Sequence, residues 1–216
     1  MRLVVDLQGA QGINRDRGIG RYCVSLTKQL ARSRGNNELI VVLSSLFPET
    51  IEEIRHSLQE VLPKESIRIM SLVGPIYEAD DSNKSRRNAA ELMREQFLAA
   101  LKPDFVLVTS MFEGLHDNVS SSIGRFTSQL KTAVILYDLI PLLNKGIYLG
   151  DESTALWYER KLNHLRSADL LLAISESTKA EAAHWLNFDL SKVINISAAT
   201  EEHFEPARSN IHEIGS

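Results

Sequence analysis

Short apolar runs alternate with longer amphipathic segments along this chain. The runs have four or five residues, and almost all of these residues are apolar and many are β-branched. They are residues 3–6, 39–43, 67–71, 105–109, 133–137, 170–174 and 193–196. A strand that is buried on both faces of a parallel sheet has this pattern, because neither of its faces meets solvent. The runs therefore predict the strands of a mostly parallel sheet.

The segments between the runs have the spacing of helices. The predicted helices are residues 21–34, 48–62, 85–101, 154–166 and 178–187. Gly35 and Pro103 follow two of them, as expected just beyond a helix end. The alternation predicts an α/β fold, a Rossmann-like, doubly wound sheet with helices on both faces. We assign residues 1–200 to this domain and the polar residues 201–216 to a linker or tail.

A long loop at residues 7–19 follows the first predicted strand and runs into a helix. Ligands in such sheets bind at the carboxyl ends of the strands, and helix N-termini attract anions. Glycines let a backbone approach a ligand closely, and arginines make charge-assisted bonds to phosphate. The predicted phosphate-binding residues are Arg17, Gly18, Gly20 and Arg21. A flexible surface loop is the alternative interpretation.

Polar residues also follow three later strands. Asp138 comes after Tyr137 at the end of the fifth run, where its carboxylate could bind a sugar hydroxyl or act as a base. Alternatively, Asp138 satisfies N–H groups of its own loop. Glu113, Ser175 and Glu176 are predicted to contact polar groups of a ligand. A solvated loop at Glu113 and helix capping at Ser175 are the alternatives.

Composition narrows the class of protein. The chain has 216 residues, of which 44% are hydrophobic and 24% charged, and its formal net charge is −4. These ordinary globular values exclude disorder as the main state, and the acidic balance argues against nucleic-acid binding. Cys23 is the single cysteine, so no internal disulfide forms. No apolar stretch approaches the roughly 20 residues that span a bilayer. We expect a cytoplasmic protein and leave peripheral contact with the inner face of the membrane open.

The sequence lacks the motifs of several classes of enzyme and binding site. The sequence has no Gly-x-Ser-x-Gly elbow, no P-loop and no complete dinucleotide fingerprint. Its six histidines are scattered, and no pair has the spacing of metal ligands. We therefore expect no bound cofactor and no metal site.

Five segments carry a resemblance to a known family. They are residues 4–6 (Val-Val-Asp), 17–22 (Arg-Gly-Ile-Gly-Arg-Tyr), 137–141 (Tyr-Asp-Leu-Ile-Pro), 174–179 (Ile-Ser-Glu-Ser-Thr-Lys) and 193–206. In this order they resemble the N-terminal, acceptor-side domain of family 4 glycosyltransferases, in the bacterial mannosyltransferase-like group. The resemblance covers essentially the whole chain. It implies one half of the two-domain GT-B fold.

The resemblance also implies a reaction and its participants. A hexosyl group, such as mannosyl, would pass with retention of configuration from a nucleotide sugar to a glycan or lipid-linked acceptor in cell-surface polysaccharide synthesis. The nucleotide sugar is then a co-substrate, and no metal is expected. Gly18 and Gly20 correspond to the glycine-rich loop of the family, near the donor phosphate. Tyr137 stands where many relatives have a histidine, so Tyr137 and Asp138 are the catalytic candidates.

The family's second domain, which binds most of the nucleotide sugar, is the expected partner. It carries a Glu-x7-Glu pair, and we interpret the two pairs with that spacing here, Glu52/Glu60 and Glu205/Glu213, as coincidental. The leading hypothesis is the acceptor-binding half of a glycosyltransferase that is inactive as an isolated domain. The alternative is a non-catalytic module that binds a glycan or a protein partner. An unrelated nucleotide-binding enzyme is disfavoured by the missing fingerprint.

Overall fold

The apolar runs form seven strands in residues 1–198, which are the residues that the computed structural model describes. The strands are β1 (Arg2–Asp6), β2 (Glu38–Ser44), β3 (Ile67–Met70), β4 (Phe105–Val108), β5 (Thr132–Leu136), β6 (Leu170–Ala173) and β7 (Val193–Asn195). Every neighbouring pair is parallel, and the order is β3-β2-β1-β4-β5-β6-β7. The winding reverses between β1 and β4, which is where such sheets bind ligands. The predicted linker at residues 201–216 lies outside the described residues.

Helices connect the strands. They are α1 (Gly18–Ser33), α2 (Pro48–Leu58), α3 (Lys84–Ala100), α4 (Ile140–Leu143), α5 (Lys145–Tyr148), α6 (Glu152–Arg166) and α7 (Glu176–Leu186). Short 3₁₀ turns lie at Gln8–Ala10, Lys64–Ser66, Asp81–Asn83 and Leu190–Lys192. Within residues 1–198, no helix combines the length and the apolar character needed to cross a lipid bilayer.

The core has two layers, one on each face of the sheet. Adjacent residues of β1 point to opposite faces. Val5 packs with the face that α1 and α2 cover, where Ile54 is buried. Val4 packs with the face that α3, α6 and α7 cover, where Leu98 and Leu162 are buried. The predicted doubly wound α/β fold is confirmed.

α1 begins one turn earlier than the predicted helix. The sequence pattern places its start at Arg21, but the first helical residue is Gly18. The Gly20 N–H donates to the Asn14 carbonyl, and the Arg21 N–H donates to that of Arg17. The glycines expected in a loop therefore form the first turn of the helix.

The other differences concern a helix end and two short helices. The second predicted helix runs to Leu62, whereas α2 ends at Leu58. Just beyond this point the N–H groups of Gln59 and Val61 donate to carbonyls three residues back, those of His56 and Leu58, instead of four. The hydrophobic pattern does not predict α4 and α5. Each has four residues, which is too short for a helical period to show.

A buried ion pair fastens the carboxyl end of β1. Arg94 Nε on α3 donates to Asp6 Oδ2 at 2.7 Å, and both side chains are buried. Arg94 Nη1 also donates to the Ser122 carbonyl at 2.6 Å. Gln8 Nε2 bridges Asp6 Oδ1 (3.0 Å) and the Ser120 carbonyl (2.9 Å). These contacts hold the long connection between β4 and β5, which has no helix or strand of its own, against β1.

We expect Arg94→Met to lower the free energy of unfolding by about 3–5 kcal/mol, because it leaves the buried Asp6 carboxylate without its cation. Urea unfolding measures the change. The matched control is Arg68→Met on edge strand β3, where the side chain is exposed and the expected change is within about 0.5 kcal/mol. A loss below about 1 kcal/mol for Arg94→Met would contradict the assigned role of the pair.

Candidate functional site

The first turn of α1 presents unpaired backbone N–H groups. Arg17 is the N-cap residue, and its side chain makes no capping hydrogen bond. The N–H groups of Gly18 and Ile19 have no hydrogen-bond partner among residues 1–198. This turn lies at the carboxyl edge of the sheet, because the helix follows β1. Free N–H groups and the positive end of the helix dipole suit an anion.

The four predicted phosphate-binding residues lie in this turn but have different surroundings. Gly20 is buried, and a Cβ there would overlap the backbone of Arg15, so this glycine is required for packing. A Cβ at Gly18 would meet nothing within 4 Å. The Arg21 guanidinium donates to the Asp16 carbonyl at 3.0 and 3.3 Å. Arg17 is exposed and makes no ion pair within the described part of the chain. Phosphate binding by these residues stays a prediction.

A cavity of about 260 Å³ lies beside the first turn of α1. Its lining residues are Ile19, Ser110, Phe112, Tyr137, Asp138, Pro141, Tyr148, Leu149, Thr154, Trp157 and Tyr158. We call it the aromatic cavity. Phe112 stacks on Tyr158 with ring centroids 4.8 Å apart, and Trp157 meets Phe112 edge-on at 6.4 Å. Apolar walls with a few polar groups suit a small ring that has both apolar faces and hydroxyl groups.

The two catalytic candidates both line the aromatic cavity. The Tyr137 hydroxyl donates to the Thr109 carbonyl at 3.1 Å and lies 3.3 Å from Cys23 Sγ. Burial raises the pKa of Tyr137, so the phenol stays neutral. Asp138 is exposed, and its Oδ1 accepts the Ile140 N–H at 3.0 Å. Its Oδ2 accepts no hydrogen bond from any described residue. Catalysis by either side chain stays a prediction.

Glu113 is buried behind the cavity and connects it to the first loop. Its carboxylate accepts hydrogen bonds from Asn14 Nδ2 at 2.9 and 3.1 Å and from the Ser110 hydroxyl at 2.8 Å. Its backbone carbonyl accepts one from Trp157 Nε1 at 3.2 Å. Burial raises the pKa of Glu113 to about 7. These contacts make Glu113 a link between the loop before α1 and the aromatic wall. A direct ligand contact stays a prediction.

Ser175 and Glu176 lie outside the walls of the aromatic cavity. Ser175 is the N-cap of α7, since its Oγ accepts the Thr178 N–H at 3.1 Å. The Glu176 carboxylate accepts a hydrogen bond from Asn195 Nδ2 at 2.8 Å. The capping role considered for Ser175 is thus present in the structure. Ligand contacts at these two residues stay predictions.

A network of buried charges behind the cavity joins α6 to α3 and the preceding loop. Lys161 Nζ donates to Ser121 Oγ at 2.8 Å and lies 3.5 Å from Glu78 Oε1. Burial lowers the pKa of the Lys161 ammonium to about 8. Arg160 pairs with Glu78 and, at 2.7 Å, with Glu91. The network holds α6 in place, and α6 contributes Trp157 and Tyr158 to the walls of the aromatic cavity.

Sequence reasoning missed the residues of α6. The rule that selects strand ends points to loops, whereas Thr154, Trp157 and Tyr158 lie on a helix. The adjacent aromatic pair Trp157 and Tyr158 is the one signal that could have indicated a binding wall. Within residues 1–198, no group of three His, Cys, Asp or Glu side chains is arranged to hold a metal ion.

We expect the replacement Glu113→Gln to alter how stability depends on pH. A solvent-exposed glutamate carboxyl has a pKa of 4.5, whereas that of Glu113 in the native state is about 7. Between these values the native state therefore binds more protons at Glu113 than the unfolded chain does, and the contribution of this carboxyl to stability falls as pH rises through the window. The stability of Glu113→Gln relative to the unmodified protein should rise by roughly 1–3 kcal/mol over that window.

Urea unfolding at a series of pH values measures this difference. Glu65→Gln, at an exposed carboxylate, is the control for loss of one negative charge. A stability difference for Glu113→Gln that does not change with pH would contradict the prediction.

No family model matches the chain. Two proteins of Escherichia coli, each named serotype-specific mannosyltransferase WbdA, are similar to it. One is 33% identical over 205 residues, covering 94% of this chain and 24% of the relative. The other is 32% identical over 180 residues, covering 83% of this chain and 22% of the relative. The chain therefore spans about a quarter of the length of the curated relatives it matches.

Two solved structures share the fold. A protein assigned as a UDP-N-acetylglucosamine 2-epimerase from Listeria monocytogenes has a TM-score of 0.54 at 15% identity, over 89% of this chain and 43% of that one. UGT89C1 of Arabidopsis thaliana, solved with UDP, has a TM-score of 0.53 at 10% identity, over 94% and 50%. The chain is thus homologous to part of the WbdA mannosyltransferases, and its fold is that of one Rossmann-like half of a GT-B protein.

Proposed function

We propose that the chain is the acceptor-side domain of a retaining glycosyltransferase. The transferred group is a hexosyl unit, mannosyl by analogy with the named relatives. It passes from a nucleotide sugar to a glycan or lipid-linked acceptor. The observation that carries this proposal is the contact between two features: Ile19 supplies an open N–H group at the start of α1 and also lines the aromatic cavity.

The start of α1 suits the diphosphate that leaves the donor. The N–H groups of Gly18 and Ile19 and the guanidinium of Arg17 offer three donor groups at the positive end of a helix. Negative charge grows on the phosphate oxygen as the glycosidic bond breaks. Preorganised donors stabilise such charge more in the transition state than in the ground state.

The aromatic cavity suits the acceptor sugar. Phe112 and Trp157 offer apolar surface to the C–H face of a pyranose, and the free Oδ2 of Asp138 can accept a hydrogen bond from an acceptor hydroxyl. In the transfer, a bond forms between the acceptor oxygen and the anomeric carbon of the donor. The bond from that carbon to the phosphate oxygen breaks, and the hydroxyl proton leaves with the diphosphate or passes to solvent.

The chain spans about a quarter of its curated relatives and about half of the solved structures with the same fold. We therefore assign most of the nucleotide binding to a second domain of the full protein and expect the isolated domain to be inactive. No metal enters the proposed reaction. The relatives are named serotype-specific mannosyltransferases, which supports a role in surface polysaccharide synthesis. We extend the proposal to a site of action at the inner face of the membrane.

The replacement Gly18→Val in the full-length enzyme tests the phosphate site. A Cβ at this position meets no protein atom within 4 Å, so we expect a change in stability within about 0.5 kcal/mol. The valine methyl groups would keep a phosphate away from the open N–H groups, so kcat/KM for the donor should fall about tenfold or more. Unchanged turnover with a panel of nucleotide-activated hexoses, mannose first, would contradict the phosphate role.

The replacement Asp138→Asn tests the acceptor site. It removes a charged hydrogen-bond acceptor, so kcat/KM for the acceptor should fall roughly 10- to 100-fold. The matched control is Asp189→Asn at the amino edge of the sheet. Asp189 is exposed and accepts the Ser191 N–H at 2.9 Å, just as Asp138 accepts that of Ile140. Equal effects of the two changes would contradict the assignment.

A further inference from the structure

Glu113 contacts both features of the proposed site and is itself only 3% exposed. Its carboxylate oxygens accept hydrogen bonds from Asn14 Nδ2, at 2.9 and 3.1 Å, and from the Ser110 hydroxyl at 2.8 Å. A buried carboxylate is tolerated only while such partners stay in place, because each lost partner leaves charge without a hydrogen bond. The geometry of Glu113 and that of its neighbours are therefore fixed together.

One of these neighbours, Asn14, leads to the start of α1. Its side chain binds the Glu113 carboxylate, and its backbone carbonyl accepts the N–H groups of Arg17 at 3.0 Å and Gly20 at 3.2 Å. The two open N–H groups of the first turn belong to the residues between these two anchored positions. The position of Asn14 therefore sets the direction in which both open N–H groups point.

The other contacts of Glu113 lead to the aromatic cavity. Ser110, which donates to the carboxylate, lines this cavity. Trp157, which forms another part of its wall, donates its indole N–H to the Glu113 carbonyl at 3.2 Å. Phe112, the residue before Glu113, lines the cavity as well. One residue is thus bonded to both features, through its side chain to the loop that begins α1 and through its backbone to the aromatic wall.

A second carboxylate reinforces this connection. Asp117 Oδ2 accepts the Ile13 N–H at 3.0 Å, and Asp117 Oδ1 accepts the Gly114 N–H at 2.9 Å. Ile13 and Gly114 each adjoin a residue of the first bridge, so two adjacent bridges join the same two segments. Sliding one segment along the other would break both bridges, and the spacing between the segments is therefore well defined.

We infer that Glu113 is a positioning residue for the proposed site. Through Asn14 it orients the open N–H groups at the start of α1, and through Trp157 it sets their distance from the aromatic cavity. This inference rests on the proposed function and adds to it the contacts that keep the two parts of the site at a fixed spacing. Preorganised donors stabilise an anion without rearranging first. Loss of the bridge between Asn14 and Glu113 then weakens anion binding although no group that touches the anion is removed.

The test uses the 216-residue chain, with inorganic pyrophosphate as the probe of the open N–H groups. Asn14→Ala removes the bridge but keeps the backbone carbonyl that Arg17 and Gly20 bind. We expect calorimetry to show that pyrophosphate binds about fivefold or more weakly. NMR should show that hydrogen exchange of the Trp157 indole N–H is about fivefold or more faster, because the carbonyl that accepts its hydrogen bond is held less firmly.

Exchanging the two side chains tests the bridge itself. In Asn14→Asp/Glu113→Gln, the carboxylate at position 14 accepts a hydrogen bond from the amide at position 113, and the net charge of the protein is unchanged. The Gln amide oxygen can still accept the Ser110 hydroxyl. Both measurements should return to within about twofold of the unmodified protein. Asn14→Asp alone sets two carboxylates face to face and should lose as much as Asn14→Ala or more.

The control is Asn37→Ala, beyond the opposite end of α1. The Asn37 amide is exposed and donates to the Arg34 carbonyl at 2.8 Å, and its loss should leave both measurements unchanged. In Asn14→Ala, normal exchange at Trp157 or unchanged affinity for pyrophosphate would overturn the inference, as would no recovery in the exchanged pair. If the unmodified protein binds no pyrophosphate, faster exchange that the exchanged pair reverses would support the bridge and contradict the phosphate site of the proposed function.

Discussion

The buried pair of Asp6 and Arg94 is the constraint on which the site depends. Two charges away from water are tolerated only when they are paired and hydrogen-bonded, so their relative positions are narrowly defined. Through Gln8 and Ser122 the pair fixes both the first loop and the irregular connection after β4. The start of α1 and the Phe112 wall are attached to these segments. The site is therefore positioned by buried polar contacts at the end of β1 rather than by the apolar core alone.

Hydrophobic pattern is enough to predict the class of fold. Strands buried on both faces are apolar throughout, so each run can be recognised without knowing its neighbours. The order of the strands in the sheet cannot be predicted from such a pattern, because it depends on which strands pair with each other. The predicted start of α1 is wrong for a local reason: glycines favour loops by propensity, yet the Gly20 N–H bonds to the Asn14 carbonyl and the buried glycine packs on Arg15.

The candidate site is only partly predictable. The strand-end rule finds Tyr137 and Asp138, which line the aromatic cavity. It cannot find Trp157, because an aromatic residue on a helix has the pattern of a core residue. The raised pKa of Glu113 and the lowered pKa of Lys161 come from burial, whereas glutamate and lysine are ordinarily exposed, so nothing in the sequence indicates these shifts.

The strand order also bears on how the domain reaches its native state. β1 is paired on one side with β2 and on the other with β4, so Leu3 lies beside Phe105. A pairing across about a hundred residues requires the closure of a long loop. The entropy cost of this closure comes before the contacts between the two strands can stabilise the chain. Until β4 arrives, one edge of an apolar central strand is left open to other chains. We therefore expect refolding to be slow and sensitive to protein concentration, which stopped-flow and light-scattering measurements can follow.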